Sequence, residues 1–218
     1  MIKRPEQRVA ILIDTQNMYH SAKHLYGSHL NFGKLVEIVA GERCLTRAIA
    51  YVATSRAGDE KGFLGALTAN GIEVKSKDVI EFASGERKAD WDVGMAIDAV
   101  KLSSKNDCIV LVTGDGDFVP LVEYLQNHGI AVEVAAFSES TSKLLREAAD
   151  DYFDISEHPV ELLMVGGGNN SRSKGPRTSK EDDLDLFDED EDEKPAKRST
   201  RRPPRASSGP KRKVRVTT

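Results

Sequence analysis

The chain has 218 residues, of which 39% are hydrophobic and 30% are charged, and its formal net charge is -4. This length suits one domain with an appended segment, and no apolar run approaches the roughly 18 residues that a membrane-spanning helix needs. Because the N-terminus is polar and the chain has only two cysteines, we expect neither a secretory signal nor a disulfide framework. We therefore predict a cytoplasmic protein with no membrane association.

Short apolar runs of strand length alternate with helical patterns along the first 165 residues. The predicted strands cover residues 9–13, 48–53, 72–76, 108–112 and 130–137. Apolar residues at helical spacing predict helices around residues 35–39, 63–67, 93–100, 122–125 and 144–148. In the third of these helices, Val93, Ala96, Ile97 and Val100 mark the apolar face. Strand and helix in regular alternation predict an α/β fold with a central, mostly parallel sheet.

The charges are sorted along the chain. Residues 171–218 carry 14 of the 31 basic and 10 of the 35 acidic side chains. The net charge of this part is therefore +4, and the net charge of residues 1–170 is -8. The acids of this part all lie in residues 181–193, and residues 194–218 contain ten basic residues and no acidic one. Blocks of like charge repel themselves and seldom fold. We therefore predict a folded domain over residues 1–165 and a disordered tail over residues 166–218.

The two charged blocks of the tail suggest partners. The basic block, residues 194–218, predicts RNA binding, because counterion release drives basic segments onto phosphates. The residues that we expect to contact RNA are Arg201, Arg202, Lys211, Arg212, Lys213 and Arg215. An arm that only keeps the protein in solution, or that touches ribosomes or membranes, is the alternative. The acidic block, residues 181–193, contains Leu184, Leu186 and Phe187 and could bind a protein partner, although a solvated segment explains it equally well.

Acidic residues stand where predicted strands end or helices begin. Asp14 ends the first strand, Asp92 opens a helix, and Asp115 and Asp117 follow the strand at residues 108–112. Since ligands of parallel sheets bind at the carboxyl ends of the strands, we expect these acids to share one crevice. Two unit charges about 4 Å apart repel by roughly 4 kcal/mol at an effective dielectric near 20. A hard divalent cation, Mg²⁺ or Mn²⁺, would offset this repulsion, and such a site suits phosphodiester hydrolysis.

Each acid also has a structural interpretation. Asp14 could accept hydrogen bonds at a strand end, and Asp117 could be the N-cap of the helix that follows it. Asp90 and Asp92 compete for one role, since one could cap the helix while the other binds the cation. Asp115 is harder to explain structurally, because glycines flank it on both sides and allow a close backbone approach.

Other residues that could bind a metal or a nucleic acid have simpler explanations. His20 and His24 have the spacing of a zinc pair but no evident third ligand, so we expect surface positions on a helix. Cys44 and Cys108 are predicted to be small buried groups. Trp91 could stack on a base or pack at the start of its helix. The first strand lacks a glycine-rich turn and the chain lacks a Walker motif, which argues against a nucleotide cofactor.

Three segments, taken together and in this order, resemble the NYN domain, in particular its bacterial LabA-like branch, which is grouped with the PIN-like nucleases. The segments are ILIDTQN at residues 11–17, KADWDV at 88–93 and TGDGDF at 113–118. The resemblance covers about residues 7–156 and includes a closing ADDYFDI segment at 149–155. It implies a PIN-like, Rossmann-like fold of three layers and metal-dependent cleavage of RNA.

The resemblance also implies a set of site residues. The residues implied to bind Mg²⁺ or Mn²⁺ and to be catalytic are Asp14, Asp92, Asp115 and Asp117. Because this sequence has one extra residue after Lys88 relative to the family pattern, Asp90 is the alternative to Asp92. Asn17 and Thr113 are implied to support the site through contacts to phosphate or to a water on the metal. A homodimer is possible by family analogy.

The leading functional prediction is a metal-dependent ribonuclease that acts on single-stranded RNA, with the basic tail assisting RNA binding. A catalytically silent RNA-binding or adaptor protein is the alternative, because a filled metal site and a working one need the same ligands. A haloacid-dehalogenase-type phosphatase is less favoured. The segment from Gly114 to Gly116 resembles a late motif of that family, but the family needs a second Asp where Gln16 stands.

Overall fold

The computed structural model describes residues 3–54, 61–78, 80–81, 87–88 and 90–164. The predicted tail over residues 166–218, with its acidic and basic blocks, lies outside the described residues, and both its disorder and its RNA contacts stay predictions. Within the described part of the chain, no helix combines the length and the apolar character that a bilayer crossing requires.

Strands and helices alternate along the described residues, as the sequence predicts. The strands are β1 (Arg8–Asp14), β2 (His29–Leu30), β3 (Cys44–Thr54), β4 (Glu73–Asp78), β5 (Ile80–Glu81), β6 (Arg87–Lys88), β7 (Cys108–Val112), β8 (Ala131–Ala136), β9 (Asp151–Asp154) and β10 (Leu163–Met164). The helices are α1 (Thr15–Tyr26), α2 (Phe32–Ala40), α3 (Lys61–Ala69), α4 (Asp92–Ser103), α5 (Val119–Asn127), α6 (Lys143–Ala148) and α7 (Pro159–Leu162). Short 3-10 turns precede α5 at Gly116–Phe118 and α7 at Ile155–Glu157.

Six strands form one parallel sheet in the order β4-β3-β1-β7-β8-β9. The chain starts in the centre at β1, moves outward to β4, and then crosses to β7 on the other side of β1. Right-handed crossovers therefore place α1 to α3 on one face of the sheet and α4 to α6 on the opposite face. The strand order reverses between β1 and β7, and this is the point where α/β sheets bind ligands beyond the carboxyl ends of the strands.

The central strands are apolar because helices cover both of their faces. All residues of Val9–Ile13 in β1 and of Cys108–Val112 in β7 have no exposed surface. Continuous runs of this kind are typical of parallel strands that are buried on both sides. The predicted α/β fold with its parallel central sheet is confirmed.

Helix α1 was not among the predicted helices, although it carries part of the functional cleft. Its sequence, TQNMYHSAKHLY, is polar over most of its length, and it buries only a short stripe that includes Met18, Tyr19 and Ala22. Strand β9 was also missed, because its four residues include two acids, Asp151 and Asp154. Short amphipathic elements give a weak periodic signal, and tertiary packing decides their conformation.

The predicted apolar face of α4 is wrong. Val93, Ile97 and Val100 are 70%, 48% and 38% exposed, whereas the residues that α4 buries are Met95, Ala99 and Leu102. Both sets follow the same spacing of i, i+4 and i+7, so the helix itself was predicted correctly while its orientation was not. The opposite face of α4 meets the sheet and brings the start of the helix to the carboxyl edge.

A buried ion pair lies toward the amino ends of the strands, away from the carboxyl edge. The Arg43 guanidinium donates to both carboxylate oxygens of Glu133 at 2.7 and 3.0 Å, and the two side chains are 3% and 5% exposed. Arg43 also contacts the sulfur of Cys108, which is buried as predicted. Cys44, in contrast, is exposed, because it begins β3 at the rim of the sheet; its predicted burial is wrong.

Candidate metal centre

Asp14 lies at the junction between β1 and α1. Its Oδ1 accepts the backbone N–H of Asn17 at 3.0 Å, which makes Asp14 the N-cap of α1. The Thr113 hydroxyl approaches its other oxygen at 3.5 Å. Burial raises the pKa of Asp14, and the charge of Asp115 acts in the same direction, while the Asn17 and Thr113 contacts oppose this rise. The structural role considered for Asp14 is therefore present, and the same carboxyl also faces the acidic cleft.

The loop after β7 carries the next two acids. Asp115 Oδ1 accepts the N–H of Asp117 at 2.9 Å, and Asp115 caps the 3-10 turn that leads into α5. The cap predicted at Asp117 is thus formed by Asp115 instead, because the turn begins one residue before Asp117. Asp117 is exposed, and its side chain projects to the same site as that of Asp115.

The two glycines around Asp115 allow the close backbone approach that was expected. A Cβ on Gly114 would lie 2.9 Å from the carbonyl oxygen of Ser140, and a Cβ on Gly116 would lie 2.7 Å from the hydroxyl of Ser142. The Gly114 carbonyl accepts the N–H of Ser142 at 2.8 Å. The segment after β8 therefore packs directly on the loop and fixes the position of Asp115.

Asp90 and Asp92 make different contacts at the start of α4. Asp90 Oδ1 accepts the N–H of Asp92 at 2.8 Å, so Asp90 satisfies a free backbone donor at the first turn of the helix. Asp92, in the first turn itself, is half-buried. Burial, followed by the negative charges of Asp90, Asp14 and Asp115, raises the pKa of Asp92 to about 7. Three neighbouring acids thus act on a single carboxyl.

Three of the four predicted acids form one compact cluster. Asp92, Asp115 and Asp117 each offer a carboxylate oxygen, and these oxygens all lie within 4.8 Å of one another. Asp14 stands beside this cluster and not within it, although its charge contributes to the raised pKa of Asp92. Side chains from α4 and from the loop after β7, 20 or more residues apart in the chain, therefore meet at one point.

The supporting residues hold the loops of the site together. Asn17 Oδ1 accepts the N–H of Gly114 at 2.9 Å and so joins α1 to the loop after β7. Thr113 is fully buried, and its hydroxyl accepts the N–H of Asp115 at 3.2 Å. The contact to phosphate or to a water on the metal that the resemblance implies for Thr113 stays a prediction. Both residues position the acids.

Asp14, Asp90, Asp92 and Asp115 line a cleft of about 440 Å³ at the carboxyl edge of the sheet, and Asp117 joins them through the three-acid cluster. The lining residues that sequence analysis did not assign to the site are Gln16, His20, Ser21, Tyr51, Ala53 and Ser140. His20 has the exposed position on α1 that was expected for it, and Trp91 forms part of the wall. The sequence gives only a weak signal for the α1 residues of the cleft. The segment directly after the first strand is polar and lacks the apolar periodicity that identifies helices.

An α/β domain with an acidic cleft at its topological switch point is the class that this geometry defines. The NYN domain model matches residues 8–157, and the chain belongs to the NYN domain family. It is 31% identical over 165 residues to "Low amplitude and bright protein LabA" of Synechococcus elongatus, which covers 72% of this chain and 88% of that protein. A crystal structure of a protein of unknown function from Vibrio parahaemolyticus is 32% identical, with a TM-score of 0.67 over 75% of this chain and 100% of the other.

Membership of this family indicates the general class of reaction, the metal dependence and the type of ligand. The chain belongs to a superfamily of nuclease-type hydrolases, whose NYN and PIN-like members generally depend on divalent metals, and NYN domains in general bind RNA. The resemblance predicted from the sequence is thereby confirmed, and the phosphatase alternative is disfavoured.

Proposed function

We propose that the chain is a metal-dependent ribonuclease that hydrolyses RNA phosphodiester bonds in the cleft at the carboxyl edge of the sheet. The observation that carries this proposal is the convergence of Asp92, Asp115 and Asp117 within 4.8 Å of one another. Carboxylates this close together need a cation or protons, because they repel strongly where solvent is partly excluded.

The donor set suits Mg²⁺ or Mn²⁺. Its ligand atoms are all carboxylate oxygens, which hard divalent cations prefer, and a few carboxylates leave coordination positions for water and for phosphate oxygens. The pKa of about 7 for Asp92 agrees with this, because burial, and after it the nearby acids Asp90, Asp14 and Asp115, disfavours the charged carboxylate, and a bound cation would offset that cost. When bound, such an ion would activate water and stabilise the oxygen that leaves the phosphorus.

Some residues of the site would bind the ion, and others fix the position of those ligands. Asp92, Asp115 and Asp117 would hold the ion, and Asp14 adds negative charge beside them. Asp90 fixes the start of α4 and so the position of Asp92. Asn17 and Thr113 fix the loop that carries Asp115, which keeps the ligands in place before the ion arrives.

A cleavage assay tests the proposal. We expect the full chain to cleave single-stranded RNA in the presence of Mn²⁺ or Mg²⁺, and we expect EDTA to abolish cleavage, because the acidic cleft then repels the phosphate. RNA that is bound but stays intact with either ion would contradict the proposal and favour the non-catalytic RNA-binding or adaptor alternative.

The basic block would supply the attraction for RNA that the acidic domain lacks. Deletion of residues 194–218 removes ten basic side chains, so we expect RNA affinity at about 50 mM salt to fall at least about 10-fold and the salt dependence to weaken. Filter binding over a salt series measures both. Deletion of residues 181–193, the acidic block, is the control and should not weaken binding. Equal affinity of the chain with and without residues 194–218 would refute the role of the block.

A further inference from the structure

We propose that Trp91 is a stacking platform for an unpaired base of the nucleic acid that the cleft binds. The proposal rests on the proposed function, because it concerns the same cleft. It adds a criterion for the substrate: the nucleotide next to the phosphate at the acidic cluster presents its base to the Trp91 ring. The substrate is therefore a single strand at that position.

Trp91 is placed to meet such a base. It is half-buried and lines the same cleft as Asp14, Asp92 and Asp115. Trp91 and Asp92 are neighbours in the chain and both side chains line the cleft. A nucleotide whose phosphate lies near the acidic cluster therefore has its base within reach of the indole.

The ring is held rigidly from its buried side. The indole Nε1–H donates to the carbonyl oxygen of Val52 in β3 at 3.1 Å. The ring also packs edge-on against Tyr51, with centroids 5.4 Å apart, and the Tyr51 hydroxyl donates to Asp98 in α4 at 2.9 Å. A side chain fixed in this way loses little conformational entropy when a ligand binds, which favours a binding role over flexible packing.

Gly94 links the ring to the first turn of α4. A Cβ at this position would lie 2.7 Å from Cε3 of the Trp91 ring. A glycine inside a helix costs about 0.5–1 kcal/mol relative to alanine, so its presence here is explained by the room that the indole needs. The indole therefore packs against the first turn of α4, the turn that also carries Asp92.

A positive group lies near the Trp91 ring. Lys77 Nζ lies 5.9 Å from the centroid of the Trp91 ring and donates to the carbonyl oxygen of Asp90 at 3.2 Å. An ammonium group near an aromatic face is favourable, and it can also contact the phosphate that follows a stacked base. The cleft thus joins an acidic part, suited to a cation, to an aromatic side chain, suited to a base, and Lys77 lies near that side chain.

The chemistry of stacking defines the substrate class. Stacking on an aromatic side chain is worth about 1–3 kcal/mol per base and tolerates every base, because each base has an aromatic face. A base inside a duplex is already stacked and paired, and exposing it costs a few kcal/mol. The platform therefore selects unpaired nucleotides and not a particular sequence.

A fluorescence titration tests the platform directly, because Trp91 is the only tryptophan in the sequence and the indole emission reports on this position alone. Two probes of about ten nucleotides are compared with the full chain: an oligoadenylate and an abasic ribose-phosphate strand of equal length. Ca²⁺ replaces Mg²⁺ to slow hydrolysis. Both strands carry the same backbone charge, so the basic tail contributes equally to both.

We expect the oligoadenylate to quench the emission of Trp91 and to bind about 10-fold tighter than the abasic strand, as one stacked base predicts. Equal affinities of the two strands, or bound oligoadenylate without quenching, would overturn the proposal. Anisotropy of labelled strands supplies the affinities independently of the tryptophan signal.

Variants of Trp91 give a second criterion. Trp91→Leu should abolish the preference for oligoadenylate, and Trp91→Phe should retain part of it; a full preference in Trp91→Leu would refute the platform. If Trp91→Leu fails to fold, the comparison of strands with the unmodified chain still decides. If the chain prefers oligoadenylate but cleaves no RNA, the stacking role of Trp91 stands and the ribonuclease proposal is wrong. If the chain cleaves RNA but binds both strands equally, the ribonuclease proposal stands and the stacking role of Trp91 is wrong.

Discussion

Asp115→Asn is expected to reduce RNA cleavage in Mn²⁺ by at least about 100-fold, which corresponds to about 2.7 kcal/mol of transition-state stabilisation. The substitution replaces an anionic oxygen of the three-acid cluster with a neutral amide, and a hard cation binds an amide much less strongly than a carboxylate. The amide oxygen can still accept the N–H of Asp117, so the turn after β7 should keep its shape. Initial rates on a labelled single-stranded RNA measure the effect.

The control for this variant lies at the other end of the same strand. Asp107 directly precedes β7, is exposed, and pairs with Arg8 at 2.8 Å. Asp107→Asn removes the same charge from the chain and leaves the cluster intact, so its cleavage rate should match that of the unmodified protein. If Asp115→Asn cleaves RNA as fast as Asp107→Asn, the assignment of Asp115 is wrong.

Glu133→Ala is expected to destabilise the fold by about 3–5 kcal/mol, the usual cost of removing one partner from a buried ion pair. The Arg43 guanidinium would remain buried without its carboxylate. Its further contacts are to uncharged groups and do not neutralise its charge: the carbonyl oxygens of Val39 and Ala40, the side-chain oxygen of Gln7 and the sulfur of Cys108. Urea denaturation followed by circular dichroism measures the free energy of unfolding.

The sheet contains a matched control for this prediction. Arg47 and Glu73 form a second pair between an arginine and a glutamate, across β3 and β4, and their side chains are 40% and 49% exposed. Solvent screens such a pair, so Glu73→Ala should cost less than about 1 kcal/mol. If Glu133→Ala and Glu73→Ala lower the free energy of unfolding equally, burial does not determine how much the pair of Arg43 and Glu133 contributes to stability. Replacing both Arg43 and Glu133 with apolar residues should recover part of the loss.

The parts of the fold that the sequence predicts are those with a strong periodic signal. The runs at residues 9–13 and 108–112 are apolar at every position, and both are central strands. Helix α4 shows the limit of periodicity: two apolar stripes with the same spacing compete, and only the packing of Met95 against the sheet decides which is buried. Helix α1 has almost no apolar stripe, because it lies beside the cleft and keeps polar residues there.

The candidate site was predictable in outline for a topological reason. Acids that follow parallel strands must gather at one edge of the sheet, and this brings Asp14 and Asp115 together whatever the loops do. The distinction between Asp90 and Asp92 needed the backbone, since it depends on which carboxyl accepts the N–H at the start of α4. The sequence marks Trp91 as able to stack on a base, but its contacts to Val52, Tyr51 and Lys77 join separate segments, for which local sequence gives no signal.

The central claim is that acids from α4 and from the loop after β7 bind one divalent cation. The most direct measurement is an anomalous difference map from crystals of the full chain that were soaked in Mn²⁺. The account predicts a peak bonded to oxygens of Asp92, Asp115 and Asp117, with Asp90 accepting the N–H of Asp92 and not bonded to the ion. A Mn²⁺ peak elsewhere in the domain, or no peak in the cleft of crystals saturated with Mn²⁺, would contradict it.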